Sequence, residues 1–387
     1  MAVTKDKNLK TNPWYFTIEV NENGNRKRIK RRGFKTKKDA EAAQRDLLKE
    51  LERGLDLQAS KTLYKDFMHD WLEDKKASVK GRTLNTYRAL VNNHILPMRK
   101  NEQGKEVGLG ELALSEITPR HIQNLYNYLR ENGSLSGENI QKVHTIINES
   151  LKKAAGWDMI IKNPAAVVDR PKAEMGEMLF WTDEEAHQFL AAAREDRYYT
   201  AFLLAVTTGM RQGELLGLRW QDVDLKSRTI SVRQILSHDG KSLEHGAKTA
   251  SGIRSIGIDR VTAVELEKLQ RRMKLEKMHH RDIYEDHDLV ICTAHGTPVS
   301  PRNLNRSFYR LIEKAGVKKI RFHDLRHSHV VMLLKMRENN KRIAERMGWA
   351  SVKMLDRYSH ITPHMQQETA DAFGEMFFTA PKGTKSL

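Results

Sequence analysis

Residues 321–334 read RFHDLRHSHVVMLL, a run of two arginines and three histidines that leads directly into five apolar residues. An apolar run of this kind is the start of a buried helix, so the charged groups at its head must be satisfied inside the fold or offered to a ligand. His323 and Arg326 are three apart and share one helix face. His323 and His327 have the i, i+4 spacing of a metal pair. However, Asp324 stands where an HExxH motif carries glutamate, and no third ligand is evident, so neither a metal nor another cofactor is expected.

Beyond this helix, MGWASVKMLDRYSHIT at 347–362 carries Tyr358, three residues after Leu355 on a short helix. Packing in the core is the ordinary role for such a tyrosine. Upstream, TTGMRQGELLGLRW at 207–220 ends an apolar helix at Gly209 and begins another with Arg211. There a guanidinium joins the free N–H groups of a helix start, an arrangement suited to an anion. Glu214 can hold that guanidinium from the same face, although a plain surface ion pair has the same spacing. Lys248 in GAKTASGIRSI sits at a hairpin tip, where a lysine is either simply solvated or able to reach into a cleft.

The 387 residues exceed what one hydrophobic core usually serves. There are 67 Lys and Arg against 50 Asp and Glu, leaving a net charge of +17 that attracts polyanions, nucleic acid first. No membrane span is visible, and MAVTKDKNLK lacks the apolar stretch of a secretory signal, so a cytoplasmic location is expected. The single cysteine, Cys292, excludes an internal disulfide framework.

The pattern predicts a multidomain chain. Residues 1–58 form a small β-sheet plus helix: strands at 14–20 and 26–32 joined by a turn at Asn23-Gly24, then a helix capped by Thr36. The second strand carries Arg26, Lys27, Arg28, Lys30, Arg31 and Arg32. These cannot all be buried, and they suit either a sheet face laid on DNA or a solvated edge that discourages strand pairing. Residues 59–162 read as an all-α four-helix domain, with helices near 62–77, 82–97, 118–132 and 137–156. Lys80, Arg82 and Thr83 gather at the start of the second of these, where phosphate is favoured. Residues 163–177 read as a linker. Residues 178–380 read as a mainly α (α+β) domain with a small antiparallel sheet, in which TISVRQIL and RSIGID are strands. Thr182 and Glu185 there form a capping box, and a last helix lies near 363–378.

Arg211 within TGMRQGELLGLRW, Lys248 in its hairpin, the run His323-Asp324-Leu325-Arg326, Trp349 after Met347-Gly348, and Tyr358 nine residues later resemble the tyrosine recombinase family, the phage-type integrases. The resemblance extends to an arm-type DNA-binding domain at 1–58, a core-binding domain at 59–162 and a catalytic domain at 178–380. Many members carry a second histidine where this chain has Trp349, whose indole N–H donates one hydrogen bond but cannot carry a proton. The resemblance implies a site-specific integrase in which Tyr358 attacks a DNA phosphate to leave a 3′-phosphotyrosyl bond, acting for a mobile element or prophage. Arg211 and Arg326 would clamp the phosphate, His323 would act as base or proton-positioning group, and Lys248 would protonate the 5′-hydroxyl. It also implies double-stranded DNA with core and arm sites as partner, a homotetramer passing through a Holliday junction, and bacterial nucleoid association when bound. A DNA-bending host factor and a directionality factor are the further partners it implies. A topoisomerase of the same chemistry and a DNA-binding regulator with vestigial residues are the competing readings.

Overall fold

A computed structural model describes residues 2–361 except positions 8, 10, 23–24, 53–55, 57, 134, 174–176 and 247–252, together with 370, 371, 373–375, 377 and 378. The chain divides into two compact units, Met1–Gly176 and Glu177–Leu387.

The first unit holds two hydrophobic cores. The smaller lies under a three-stranded antiparallel sheet of β1 (Ala2–Lys5), β2 (Trp14–Glu22) and β3 (Asn25–Phe34), packed on α1 (Lys37–Glu52). Thr36 caps α1 as the sequence predicts, its Oγ1 accepting from Asp39 N, and Asp39 in turn accepts from Thr36 N. Phe16 and Ile18 alternate inward on β2 to meet Ala40 and Leu47. Their pairing sorts the basic strand: Arg32 lies opposite Tyr15, Lys30 opposite Thr17 and Arg28 opposite Glu19, all on the face away from the core. Arg31, opposite Phe16, is on the other face yet still exposed. β1 is not foreseen by the sequence reading; four residues with one strong apolar side chain become a strand only by pairing with β2.

The larger core of this unit is built by α2 (Tyr64–Lys76), α3 (Gly81–Leu90), α4 (Pro119–Glu131) and α5 (Gly137–Gly156), the four expected helices. A π turn, Val91–Ile95, continues α3, and a short antiparallel ribbon of β4 (Arg99–Lys100) and β5 (Glu106–Val107) follows it. The linker reading is corrected for its first residues. Pro164–Val167 forms a 3-10 turn against α4 and α5, and Ala165 and Val168 enter the helical core, because burying these apolar side chains outweighs the loop signal of two prolines.

In the second unit α6 (Asp183–Ala192) begins with the predicted capping box, Thr182 Oγ1 accepting from Glu185 N and Glu185 accepting from Thr182 N. The apolar α7 (Tyr199–Thr208) ends at Gly209, and α8 (Gln212–Leu216) follows at once. A sheet ordered β10 (Arg254–Gly257), β7 (Thr229–Val232), β6 (Val223–Asp224) lies beside a two-stranded ribbon of β8 (Gln234–Leu236) and β9 (Leu243–His245). The expected single strand TISVRQIL is therefore two. Ile230, Val232, Gln234 and Leu236 keep alternating inward, while the hydrogen-bonding partner changes from β10 to β9 at Arg233.

α9 (Arg260–His279), α10 (Pro301–Ala315), α11 (Asp324–Lys335) and α12 (Asn340–Met347) follow. The segment Val352–Ile361 is wound as 3-10 helix rather than α. The predicted last helix falls largely outside the described residues; those described there are helical and leave Phe373, Phe377 and Phe378 exposed. Cys292 is buried beside the Tyr284 hydroxyl at 3.9 Å, and burial raises its thiol pKa. No helix among the described residues is long and apolar enough to cross a membrane.

Phe308 is the hub of the main core, with ring centroids 5.7 Å from Trp181, 5.3 Å from Phe189, 5.9 Å from Phe202 and 5.4 Å from Phe322. Phe308→Ala should cost about 3–5 kcal/mol, read as a lowered urea midpoint; an unchanged midpoint would show that this hub can collapse around the deletion.

Candidate active site

The site is assembled where three helix ends meet. Arg326, in the first turns of α11, is only 4% exposed, and its guanidinium is held by backbone carbonyls alone among the hydrogen bonds described. One Nη donates to Gly209 O at 2.7 Å and the other to Met347 O. Those carbonyls close α7 and α12, where helix oxygens lack intrahelical partners and carry the negative end of the dipole. Gly209 has φ 64, and a Cβ there would come within 2.7 Å of Met347 Cε and 2.9 Å of His329 Cδ2, so both conformation and space require glycine. Burial, then the nearby Arg211, lowers the Arg326 pKa to about 9, which leaves it cationic at neutral pH.

Arg211 caps α8 and is the accessible counterpart, its side chain 40% exposed. As the spacing predicts, Glu214 receives both the Arg211 backbone N–H at 3.0 Å and its guanidinium at 2.6 Å. The sequence reading missed the other half of this arrangement. Arg254 on β10, almost fully buried, donates to both Glu214 oxygens at 3.2 and 2.8 Å, and to Arg346 O at 2.7 Å. Arg346 in turn donates to His329 Nε2 at 3.0 Å and to Thr207 O at 2.9 Å. Arg254 stands two residues from the buried Ile256, on the same strand face, and that alternation was a signal available in the sequence. Burial alone would raise the Glu214 pKa, but Arg254, first by hydrogen bond and then by charge, and Arg211 hold it down at about 2.

Tyr358 closes the site from the 3-10 segment. It is 1% exposed, with its ring 6.2 Å from that of Trp349, which itself lies 5.6 Å from the Arg326 guanidinium carbon. Trp349 thus packs between cation and phenol. The Tyr358 hydroxyl is 2.6 Å from Nδ1 of His327. Burial raises its pKa to about 12 against the opposing pull of Arg326 and Arg357. His323, the residue to which the sequence reading gave the base role, lies one ring further out, 5.5 Å from His327. Burial and then Arg326 lower its pKa. In the sequence His327 stands out only by its i, i+4 spacing from His323, because its contact with Tyr358 spans 31 positions.

Lys248 lies outside the described residues. Arg28, Lys30, Arg32, Lys80, Arg82 and Thr83 are exposed, and Lys30 Nζ sits 4.0 Å over the Tyr15 ring; the side chains of Arg26 and Lys27 are not described. No cluster of three or more His, Cys, Asp or Glu able to hold a metal occurs among the described residues.

Residues 180–365 match the phage integrase family, residues 4–51 an arm DNA-binding domain, and residues 63–130 the N-terminal SAM-like domain of phage integrases. Over 267 residues the chain is 30% identical to the ICEBs1 integrase of Bacillus subtilis, covering 68% of this chain and 72% of that protein. The chain belongs to the phage integrase family. It is a tyrosine recombinase, an enzyme that cuts and rejoins DNA. It is also 27% identical over 383 residues to a tyrosine recombinase XerC-like protein of Caldanaerobacter subterraneus subsp. tengcongensis, covering 93% of this chain and 95% of that one. The recombinase shares its fold with the integrase of the Tn1549 transposon, solved with transposon right end DNA, at a TM-score of 0.66, 19% identity and coverage of 82% and 100%. The lambda integrase dimer bound to a core site aligns at a TM-score of 0.57, 17% identity and coverage of 92% and 93%.

Glu214→Ala should destabilise the recombinase by about 3–5 kcal/mol, because it strands the buried Arg254 cation without its carboxylate. Denaturant titration of wild type and variant reads this directly. A second expectation concerns pH. His327 is held down to about 4 and His329 to about 3, burial being the largest cause in each, against 6.5 when unfolded. Below 6.5 the unfolded chain therefore binds protons that the folded one does not, so stability falls as pH drops from 6.5 through about 4 and 3. Calorimetry should find a lower melting temperature near pH 5 than near pH 7.5; an equal or higher one would contradict the neutral, buried state of these rings.

Proposed function

We propose that the recombinase integrates, and in the reverse direction excises, a mobile element or prophage through a 3′-phosphotyrosyl intermediate carried by Tyr358. The observation that carries this reading is the placement of Tyr358 against Trp349 and within the field of Arg326, whose charge opposes the effect of burial on the phenol. Arg326 is fixed and Arg211 is half-exposed; together they would hold the two non-bridging oxygens of one phosphodiester and stabilise charge growing in the transition state. His323, kept mainly neutral, positions a proton at that phosphate. Lys248 protonates the departing 5′-hydroxyl, and Trp349 orients the phosphate through its N–H.

The exposed basic face of β3 and the start of α3 suit arm and core segments of duplex DNA, respectively. The exposed phenylalanines near the C-terminus, Phe373, Phe377 and Phe378, fit packing against a neighbouring copy in a tetramer passing through a Holliday junction. A bacterial cytoplasmic enzyme associated with the nucleoid, assisted by a DNA-bending factor and a directionality factor, completes the reading.

Nicked suicide duplexes tiled across DNA flanking the gene, incubated without metal or ATP and resolved on denaturing gels, test it. Wild type should give a protein-sized shift of one DNA strand and Tyr358→Phe none, with both binding the duplex equally. Strand cleavage by Tyr358→Phe, or tight binding without an adduct from wild type, would remove the nucleophile from this position.

A further inference from the structure

We infer that His327 is a catalytic residue of the recombinase, accepting the phenolic proton of Tyr358 at Nδ1 as the tyrosine attacks DNA. The inference rests on Tyr358 being the nucleophile. A hydroxyl buried as fully as this one needs an acceptor for its proton. Among the described residues the hydrogen bond of the Tyr358 hydroxyl is to His327 Nδ1, at 2.6 Å. The phenol therefore donates, Nδ1 accepts, and the ring proton of neutral His327 resides on Nε2. His323, one ring further out, has no hydrogen bond to the phenol among those described.

The groups facing His327 explain why the proton stays on tyrosine until DNA arrives. Burial, then His323, Arg357 and Arg321 disfavour a cationic ring, with Asp324 opposing them. A phosphodiester brought against Arg211 and Arg326 adds negative charge beside the ring and raises its basicity. The transfer is then concerted with attack: the Tyr358 Oη–phosphorus bond forms while the phenolic proton moves to His327 Nδ1. The phosphorus–O5′ bond breaks, and O5′ leaves as a hydroxyl with the proton supplied by Lys248. On resealing, the attacking 5′-hydroxyl gives its proton back to Lys248 as the Oη–phosphorus bond breaks, and imidazolium His327 returns its proton to the departing phenolate.

The test uses the duplex on which wild type forms its adduct. His327→Asn places an amide oxygen near the position of Nδ1, so it keeps the hydrogen bond but cannot take up a proton. Its adduct rate should fall by about 100-fold or more, with DNA affinity and melting temperature close to wild type. A 5′-bridging sulfur in the duplex leaves without protonation, so it should restore Lys248→Ala but not His327→Asn. An Asn variant within about threefold of wild type would reduce His327 to a positioning role, and rescue by sulfur would move it to the leaving-group side; either outcome overturns the assignment. A wild type that forms no adduct at all would instead overturn the reading of Tyr358. Should the Asn variant unfold, nitrogen NMR of the wild-type imidazole decides the question. An unprotonated Nδ1 whose resonance shifts in Tyr358→Phe supports the proposal, and a protonated Nδ1 overturns it.

Discussion

A guanidinium shut away from water is the constraint on which the catalytic unit depends. Burying Arg326 without partners would cost several kcal/mol, and the fold meets that cost with carbonyls left open by two helices that end side by side. That solution dictates much else. α7 must stop at a left-handed glycine, α12 must stop just before Gly348, and α11 must start where its first turn can reach both. The cation is therefore bonded to parts of the chain 117 and 21 positions away, and its position is set by the fold rather than by its own flexible stem.

The second arginine follows the opposite logic. Arg211 is tethered by a carboxylate that also neutralises the buried Arg254, so Glu214 serves two cations and has oxygen lone pairs occupied from both sides. Arg326 offers a rigid charge, whereas Arg211 keeps part of its fork in solvent and can adjust to an incoming anion. A pair of this kind combines a fixed reference point with a compliant one. The arrangement also keeps three guanidinium groups and one carboxylate within a small region, which leaves a net positive field before any substrate enters.

Local chemistry was readable in the sequence and long-range pairing was not. The capping box at Thr182 and the stop at Gly209 are written in residues three or four apart, and they appear where the spacing puts them. The same holds for Arg211 with Glu214. In contrast, the hydrogen bond between Tyr358 and His327 and the triad around Arg254 join segments distant in sequence; neither residue type nor periodicity specifies them. The residues of TISVRQIL alternate as expected, yet alternation says which side chains point inward and nothing about which strand is alongside. Pro164–Val167 shows the converse failure, where prolines suggested a loop and the apolar residues beside them found a core.

The lone cysteine has a practical consequence. Cys292 is buried, and its thiolate is disfavoured by burial, so it should react sluggishly with maleimides and disulfide reagents. A reactive thiol placed on the surface of either compact unit would thus be chemically unique without first removing the native one. Fluorophores or spin labels on Met1–Gly176 and Glu177–Leu387 can then report whether the separation of the two units changes when duplex DNA is added.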